Sequence, residues 1–295
     1  MTHETAFAGA ISDFKDADYS IVGVPYDGTS SFRLGSKKGP DRIREASYCF
    51  EPYLFEYDIC LRDVALHDHG DISRVDDHFR LKDSLKDTIR KIVSRKKFPI
   101  VLGGEHSISP IVVSALKEEH EDLNVLILDA HLDFRDEYEG MKHSHATTSR
   151  RISEIVGLNN TFVYGVRSKA ENYASEDTPK FFTCEEIHGA QDGAGEEDRR
   201  PIERVLADID EPVYLSMDMD VVDPSFAPGV GNPEPFGLNP SKIKKLISKI
   251  SPSFVGVDIV EVCPKHDTSD TTSNLAARFV YEVIGAREAR KATEE

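Results

Sequence analysis

The chain alternates short apolar runs with longer stretches in which apolar residues recur at helical spacing. The short runs are rich in Val, Ile, Leu and aromatic residues, and this composition predicts buried strands. We predict strands at residues 19–24, 63–66, 98–102, 123–128, 161–166, 180–184, 212–217 and 253–260. Strands that alternate with amphipathic helices are typical of a parallel sheet covered on both faces. The pattern therefore predicts an α/β protein with about eight parallel strands and helices on both faces of the sheet.

Several helices are marked by residues that favour a first turn. Pro40 stands near the start of "GPDRIREAS", and Asn239 followed by Pro240 opens "NPSKIKKLISKI". Pro is favoured in the first helical turn and Asn at the residue before it, so we expect helices to begin there. The last helix is expected at about residues 270–290, with one apolar stripe packed on the core.

Length and composition limit the organisation of the protein. The chain has 295 residues and no shift in composition that divides it, so we expect one domain over residues 1–295. The segment "HGAQDGAGEEDRR", residues 188–200, is rich in Gly and acid, and we expect it to be a mobile loop.

Charge and cysteine content exclude several classes of protein. The net charge of −17, from 36 basic and 53 acidic residues, argues against a nucleic-acid partner and suits cationic small molecules or metal ions. The four cysteines form no CxxC pair, which is typical of a reducing compartment. The chain shows no signal-peptide pattern and no apolar run near the roughly 20 residues that span a bilayer. We therefore expect a cytoplasmic protein without a membrane partner.

Polar residues of one chemical type follow three of the predicted strands. They lie in "GGEHS", "LDAHLDFRDE" and "SMDMDVVDP", and the residues able to bind a metal are His106, Asp129, His131, Asp133, Asp218 and Asp220. Residues two apart in an extended chain point to the same side. Ligands of parallel α/β sheets bind beyond the carboxyl ends of the strands, so we expect these side chains to meet.

Such a cluster implies metal chemistry. Four neighbouring carboxylates would repel one another and raise some of their pKa values unless cations neutralised them. Two divalent ions would balance four negative charges, and a set of oxygens and imidazoles without thiolates favours Mn²⁺ or a similar ion. Two ions about 3.5 to 4 Å apart can lower the pKa of a bridging water and generate hydroxide as a nucleophile. The sequence therefore predicts a metal-assisted hydrolase.

These motifs occur in the order found in the ureohydrolase (arginase) family, together with "DIVEVCP" near the end of the chain. The chain resembles this family over nearly its whole length, and its agmatinase branch in particular. The resemblance implies the three-layer arginase-like fold, two Mn²⁺ ions per subunit and a homo-oligomer, either a trimer or a hexamer. It also implies that Asp129 and Asp218 bridge the ions, with His106 and Asp133 completing one site and His131 and Asp220 the other.

The resemblance further implies residues that act on the substrate. The segment "KHSHATTSRR" is similar to the family's substrate loop and aligns its catalytic histidine with His145, leaving His143 as a neighbour. His145 would protonate the departing amine, Glu261 would bind the guanidinium, and Asp133 would act with them beside the ions. The expected substrate is a small cationic guanidino compound, and the expected reaction converts agmatine to putrescine and urea.

The chain departs from the family pattern at three points, and several alternatives stay open. Glu105 stands where many members have Asp, Ala146 replaces a common Gly, and Thr148 with Ser149 replaces a common Pro-Phe-type pair. Asp136, Glu137 and Glu139 in the substrate loop favour a cationic substrate tail. Aminopropylagmatine would also fit such a loop, whereas arginine and guanidinobutyrate are less favoured. The alternatives of another class are a mononuclear-metal deacylase and a non-catalytic binding protein of the same fold.

Overall fold

A central parallel sheet organises the protein in the computed structural model, which describes residues 6–73, 78–170, 178–189, 203 and 207–294. The strands are β1 (Tyr19–Val24), β2 (Tyr53–Leu54), β3 (Ile59–Cys60), β4 (Leu66–Asp71), β5 (Phe98–Gly103), β6 (Asn124–Leu128), β7 (Thr161–Val166), β8 (Lys180–Thr183), β9 (Val213–Asp218) and β10 (Phe254–Val260). Eight of them form one sheet in the order β4-β1-β5-β10-β9-β6-β7-β8, and all its strand pairs are parallel. The short strands β2 and β3 pair with each other in the antiparallel direction.

Helices cover both faces of this sheet. In the described ranges they are α1 (Gly39–Ala46), α2 (His78–Val93), α3 (Ser109–Leu116), α4 (Thr148–Val156), α5 (Cys184–Gly189), α6 (Pro240–Ile250) and α7 (Thr271–Glu294). Apolar residues of α1, α5, α6 and α7 form one core, and those of α2, α3 and α4 form the other. Within β1 the side chains alternate between them, since Ile21 belongs to the first core and Val22 to the second. The predicted α/β architecture of three layers is confirmed.

Most local predictions agree with the structure, and one strand was misplaced. Asn239 caps α6, because its side chain accepts the N–H of Ser241 at 2.9 Å. The strand predicted at residues 63–66 is wrong in its bounds, since β4 occupies Leu66–Asp71. Most of β4 is polar because it lies at the sheet edge and two of its carboxylates bind Arg44.

Two further expectations concern mobility and membranes. The loop expected at 188–200 lies outside the described residues from 190 onward, and His188 and Gly189 end α5. In the described part of the chain, no helix is both long and apolar enough to cross a bilayer.

The sheet order brings the predicted metal-binding residues together. The four neighbouring strands β5, β10, β9 and β6 lie side by side at the centre of the sheet and run in the same direction. Their carboxyl ends therefore meet at one edge, where side chains that follow different strands can reach one point. His106, Asp129, Asp218 and Glu261 each lie at the end of one of these strands.

Candidate metal centre

One half of the candidate metal centre surrounds His106, which begins a short 3₁₀ turn after β5. Its Nδ1 atom lies 3.1 Å from Asp129 Oδ2, 3.2 Å from Asp218 Oδ2 and 4.0 Å from Asp133 Oδ2. His106 is completely buried, as are nearly all atoms of Asp129 and Asp218. One imidazole nitrogen and three carboxylates thus point into a space that a cation could occupy.

The other half surrounds His131. Its Nδ1 atom lies 2.9 Å from Asp220 Oδ2 and 3.5 Å from Asp129 Oδ1. The two oxygens of Asp129 therefore face the two halves separately, so this one carboxylate belongs to both. Ligand atoms of His106, Asp129 and Asp133 lie within 4.8 Å of one another, and so do those of Asp129, His131 and Asp220. The structure brings all six predicted residues into one cluster.

The electrostatics of the cluster fit cations. Burial raises the pKa of Asp133 well above its ordinary value, and the carboxylate of Asp129 raises it further. Burial likewise raises the pKa of Asp218, together with the carboxylates of Asp220 and Asp129. In addition, His106 Nδ1 and Asp129 Oδ2 are buried without a hydrogen-bond partner among the described residues. Buried polar atoms are normally paired, so these two orphaned atoms fit the role of metal ligands.

A hydrogen-bond chain behind His106 fixes the orientation of its ring. The Nε2 atom lies 3.0 Å from Ser216 Oγ, and this hydroxyl donates to Asp258 Oδ1 at 2.9 Å. Tyr214 donates to the other oxygen of Asp258 at 2.5 Å. Ser216 has given its hydrogen to Asp258, so its oxygen accepts from Nε2–H. In the neutral ring the lone pair of His106 therefore lies on Nδ1 and points at the carboxylates.

Backbone N–H groups bind Asp218 and Asp220, and a further carboxylate lies beside the ring of His131. Asp220 Oδ1 accepts the N–H of Ala130 at 3.0 Å, and Asp218 Oδ1 accepts the N–H of Asp220 at 2.8 Å. Glu234 Oε1 lies 3.5 Å from His131 Nε2, on the side of the ring opposite the cluster. A carboxylate in this position orients a ligating histidine and raises its basicity.

Arg167 binds the backbone around this half of the site. Its guanidinium donates to the carbonyl oxygens of Asp220 at 2.6 Å, Val221 at 3.2 Å and Glu234 at 2.8 Å. One side chain thus joins the turn that carries Asp220 to the segment that carries Glu234.

A cavity of about 220 Å³ opens onto the cluster. Its walls are Ser31, His131, Asp133, Arg135, Tyr138, His145, Ala146, Asp218, Asp220, Asn232 and Glu261. The predicted catalytic residues and four of the predicted metal ligands therefore face the same space. A molecule in this cavity would contact both groups at once.

Glu261 follows β10 and is nearly buried in the cavity wall. Its Oε1 accepts the N–H of His106 at 3.0 Å, and a Cβ at Gly231 would lie 3.0 Å from its Oε2. Burial raises the pKa of Glu261 well above its ordinary value, and the nearby Glu105 raises it further. Glu261 has a φ of 65° and Asp133 a φ of 46°, both in the left-handed region. Such conformations are costly in residues with a side chain and cluster at functional sites.

His145 lies on the opposite wall. Its Nε2 atom is 3.2 Å from Ser31 Oγ, and the ring meets Tyr138 edge-on with ring centres 5.7 Å apart. Burial lowers the pKa of His145 to about 4. His143 is exposed and stacks on His78, with ring centres 5.0 Å apart. Of these two histidines in the substrate loop, His145 is the one that lines the cavity.

The acidic residues of the substrate loop do not line the cavity, contrary to what the sequence suggested. Asp136 Oδ1 accepts from Arg151 at 3.0 Å and lies 3.5 Å from Arg150, outside the cavity walls. Glu137 and Glu139 are exposed and do not line the cavity either. Arg135 does line it, together with Tyr138. The acidic residues of this loop therefore give no support for a cationic substrate tail.

Comparison with known proteins agrees with this geometry. A family model described as the arginase family matches residues 17–285. The chain belongs to the arginase family. It is 33% identical to the agmatinase of Bacillus anthracis, over 96% of this chain and 98% of that protein. It is 34% identical to the N(1)-aminopropylagmatine ureohydrolase of Thermococcus kodakarensis, over 92% of this chain and 91% of that protein.

A solved structure shows the same fold. The agmatine ureohydrolase of Thermoplasma volcanium superposes with a TM-score of 0.88 at 36% identity, over 97% of this chain and 95% of that one. These relationships confirm the expected arginase-like fold and the expected enzyme class, a ureohydrolase of the arginase family.

Several residues around this arginase-family site were missed by sequence reasoning. Ser216 could have been found, because it lies two residues before Asp218 in one strand and points to the same side. Asp258 could also have been suspected, since a carboxylate within an otherwise apolar strand needs a buried partner. Arg167 and Glu234 lie 67 residues apart, and nothing in the sequence links them.

Proposed function

We propose that the protein hydrolyses the guanidinium group of agmatine to putrescine and urea with two Mn²⁺ ions per subunit. The main support for this proposal is that a metal-binding cluster and two candidate catalytic residues meet in one cavity. Six buried or half-buried Asp and His residues converge with orphaned ligand atoms, and His145 and Glu261 face the same space. The agmatinase relatives support agmatine as the substrate.

The donor set supports manganese. The proposed ligands of the first ion are His106, Asp129, Asp133 and Asp218, and those of the second are His131, Asp129, Asp218 and Asp220. Four carboxylates and two imidazoles suit Mn²⁺, and this set of described residues contains no thiolate that would favour a closed zinc site. When bound, the two ions would supply a water molecule of lowered pKa as the nucleophile. The carboxylates would then carry their charge without mutual repulsion.

Glu261 would position the substrate. Its carboxylate faces the cavity, and a planar guanidinium can donate two parallel hydrogen bonds to a carboxylate. The N–H of His106 fixes one oxygen of Glu261 at 3.0 Å, so the site of the guanidinium is set relative to the metal ligands. This placement would hold the guanidinium carbon beside the nucleophile and supply much of the rate enhancement by orientation.

His145 would move the proton. Burial lowers the pKa of its ring to about 4, so the ring is neutral at pH 7. A neutral ring can accept a proton released as the carbon is attacked and can then donate it to the departing amine nitrogen. The bond between carbon and that nitrogen breaks as the amine is protonated, which leaves urea.

The same proposal includes a homo-oligomer, a trimer or hexamer, and a cytoplasmic location without nucleic-acid or membrane partners. The acidic composition of the chain supports the absence of a nucleic-acid partner.

The experiment that tests the substrate is urea release by the Mn²⁺-loaded protein with agmatine, aminopropylagmatine, arginine and guanidinobutyrate at equal concentration. We expect agmatine to be turned over with the highest kcat/KM. Preference for aminopropylagmatine would keep the mechanism and replace the substrate. Preference for guanidinobutyrate would replace the substrate by one with a carboxylate tail, for which Arg135 in the cavity wall offers an opposite charge. No urea from any of them, with two ions bound per chain, would refute the proposal.

A further inference from the structure

A chain of hydrogen bonds runs from the carboxylate of Glu105 through the hydroxyl of Thr29 to His145. Glu105 is completely buried and Thr29 nearly so. Glu105 Oε1 accepts the hydroxyl of Thr29 at 2.8 Å and its backbone N–H at 3.2 Å. The same carboxylate accepts the hydroxyl of Ser107 at 2.8 Å and its N–H at 2.7 Å. Because four donors point at it, this carboxylate acts only as an acceptor.

The hydroxyl of Thr29 therefore has only lone pairs left for His145. Its oxygen accepts the backbone N–H of His145 at 3.0 Å and lies 3.4 Å from the ring atom Nδ1. Ser144 Oγ is also 3.4 Å from Nδ1, but its hydroxyl can rotate to donate or accept and so does not decide the tautomer. An oxygen that can only accept favours the ring form with its hydrogen on Nδ1.

The other ring nitrogen faces the cavity. His145 Nε2 lies 3.2 Å from Ser31 Oγ, and both residues are part of the cavity wall. We infer that Thr29, held in place by Glu105, is a positioning residue that keeps the hydrogen of neutral His145 on Nδ1. Nε2 is then the atom that exchanges protons with the substrate. This inference rests on the proposed role of His145 as the proton shuttle.

The proton balance of the cycle is simple. Nε2 takes up the proton released during attack, which makes the ring an imidazolium with hydrogens on both nitrogens. The Nε2–H then donates to the departing amine nitrogen as its bond to the guanidine carbon breaks, and the ring returns to the Nδ1–H form. Thr29 Oγ1 accepts from Nδ1–H in both states, so it need not rearrange during turnover.

The backbone keeps Glu105 rigidly aligned with the segment that carries Thr29. The N–H of Glu105 donates to the carbonyl of Tyr26 at 2.8 Å, and the N–H of Gly104 donates to the carbonyl of Val24 at 2.9 Å. A Cβ at Gly104 would lie 1.9 Å from Tyr26 O, so only glycine permits this approach. Glu105 stands where many family members have Asp, and its carboxylate thus hydrogen-bonds Thr29 and Ser107 rather than taking part in the metal cluster.

The test compares Thr29→Val, which keeps the shape and removes the hydroxyl, with Thr29→Ser, which keeps the hydroxyl. Thr161→Val controls for the loss of a hydroxyl elsewhere, because Thr161 donates to the carbonyl of Gly157 at 2.9 Å. Steady-state kinetics with agmatine and Mn²⁺ content are measured for each variant. The tautomer is read from ring ¹⁵N shifts of the full chain loaded with Mg²⁺ instead of paramagnetic Mn²⁺. The His145 signals are assigned by their absence in His145→Asn.

We expect Thr29→Val to keep both Mn²⁺ ions and its KM, to lose about 10- to 100-fold in kcat, and to shift His145 toward the Nε2–H form. Thr29→Ser and Thr161→Val should keep the Nδ1–H form and most of kcat. An unchanged Nδ1–H tautomer in Thr29→Val would overturn the inference. A changed tautomer with unchanged kcat would support Thr29 as its determinant and refute His145 as the proton shuttle. If agmatine is not the substrate, the tautomer of His145 can still be measured. Failure of the proposed function and failure of this inference therefore give different results.

Discussion

His106 and Ser216 are joined by a hydrogen bond of 3.0 Å that lies behind the metal cluster, on the face of the ring away from the cavity. Ser216→Ala removes this bond and leaves the Nε2–H of a completely buried histidine without its acceptor. Loss of such a partner lowers metal affinity by about 10- to 100-fold. We expect Mn²⁺ titration of chelator-treated protein to show this loss of affinity at one of the two proposed Mn²⁺ sites.

The matched control is Ser114→Ala. Ser114 donates to the carbonyl of Ile111 at 2.8 Å in α3, away from the cluster. This variant should bind Mn²⁺ as the unmodified protein does. Equal affinities in Ser216→Ala and Ser114→Ala would show that the ring of His106 is oriented without Ser216.

Asp129 faces both halves of the cluster, so its removal should affect both ions. Asp129→Asn keeps the size of the side chain but supplies a weaker, uncharged ligand. We expect a folded protein that holds fewer than two Mn²⁺ ions per chain after gel filtration, measured by elemental analysis. Asp136→Asn is the control, because Asp136 is exposed and pairs with Arg151 outside the cavity. Retention of both ions in Asp129→Asn would refute the bridging assignment.

The sequence predicted the metal-binding residues better than the residues that support them, for a physical reason. Asp129 and His131 follow one strand at a spacing of two, which the sequence shows directly, whereas Asp133 reaches the same cluster through a backbone with a φ of 46°. The parallel sheet then brings the ends of neighbouring strands together, which places His106 and Asp218 beside them. The pairs that support these ligands, such as His131 with Glu234, join loops distant in sequence. Their contacts depend on the whole tertiary structure and leave no local pattern.

The edge strand β4 shows the same limit of prediction from local sequence patterns. Its polar residues gave no strand pattern, because what stabilises Asp68 there is Arg44, which lies 24 residues earlier. Arg44 donates to both oxygens of Asp68, at 2.8 and 3.0 Å, and to Asp71 at 2.6 Å. A sequence pattern records hydrophobic periodicity, and it does not record which buried carboxylate a distant guanidinium will bind.

This pair leads to a prediction about stability and pH. Burial alone would raise the pKa of Asp68, but the hydrogen bonds and charge of Arg44 lower it below its ordinary value. A carboxylate with a lowered folded-state pKa stabilises the protein above its unfolded pKa of about 3.9, and this contribution is lost as pH falls through the folded-state pKa. Asp68→Asn should therefore lower the free energy of unfolding by about 2 kcal/mol at pH 7, because it removes one of the two carboxylates that pair with buried Arg44 and leaves Asp71 as its charged partner.

Urea denaturation in the presence of a chelator measures this difference without the contribution of bound metal. The difference between Asp68→Asn and the unmodified protein should shrink as pH falls below about 4. Asp16→Asn serves as the control, because Asp16 is exposed and its carboxylate forms a surface pair with Lys15 at 3.7 Å. A difference that stays constant from pH 7 to pH 3 would contradict the assigned role of Asp68.

The two histidines of the substrate loop should behave differently on substitution. His145→Asn removes the proposed proton shuttle and should lower kcat by about 10²-fold or more while both Mn²⁺ ions remain bound. His143→Asn should leave kcat nearly unchanged, because His143 is exposed and stacks on His78 instead of lining the cavity. Urea release and elemental analysis check both results. An unchanged rate in His145→Asn would move the acid role to His143 or to water.

Arg135 provides a test of the charge on the substrate tail. It lines the cavity, and the ring of Tyr138 lies 5.4 Å from its guanidinium carbon. Arg135 is also exposed, so solvent screens its charge and its effect on a charged substrate should be only about two- to fivefold. If the natural tail is the ammonium group of agmatine, Arg135→Gln should lower the KM for agmatine by that factor and raise the KM for guanidinobutyrate.

Arg150→Gln is the matched control, because Arg150 packs over Phe134 and faces Asp136 outside the cavity. It should leave both KM values unchanged. The result that contradicts an ammonium tail is a loss of agmatine turnover in Arg135→Gln with the same KM. Arg135 would then act on the loop that carries His145, through Tyr138, whose ring meets that of His145 edge-on.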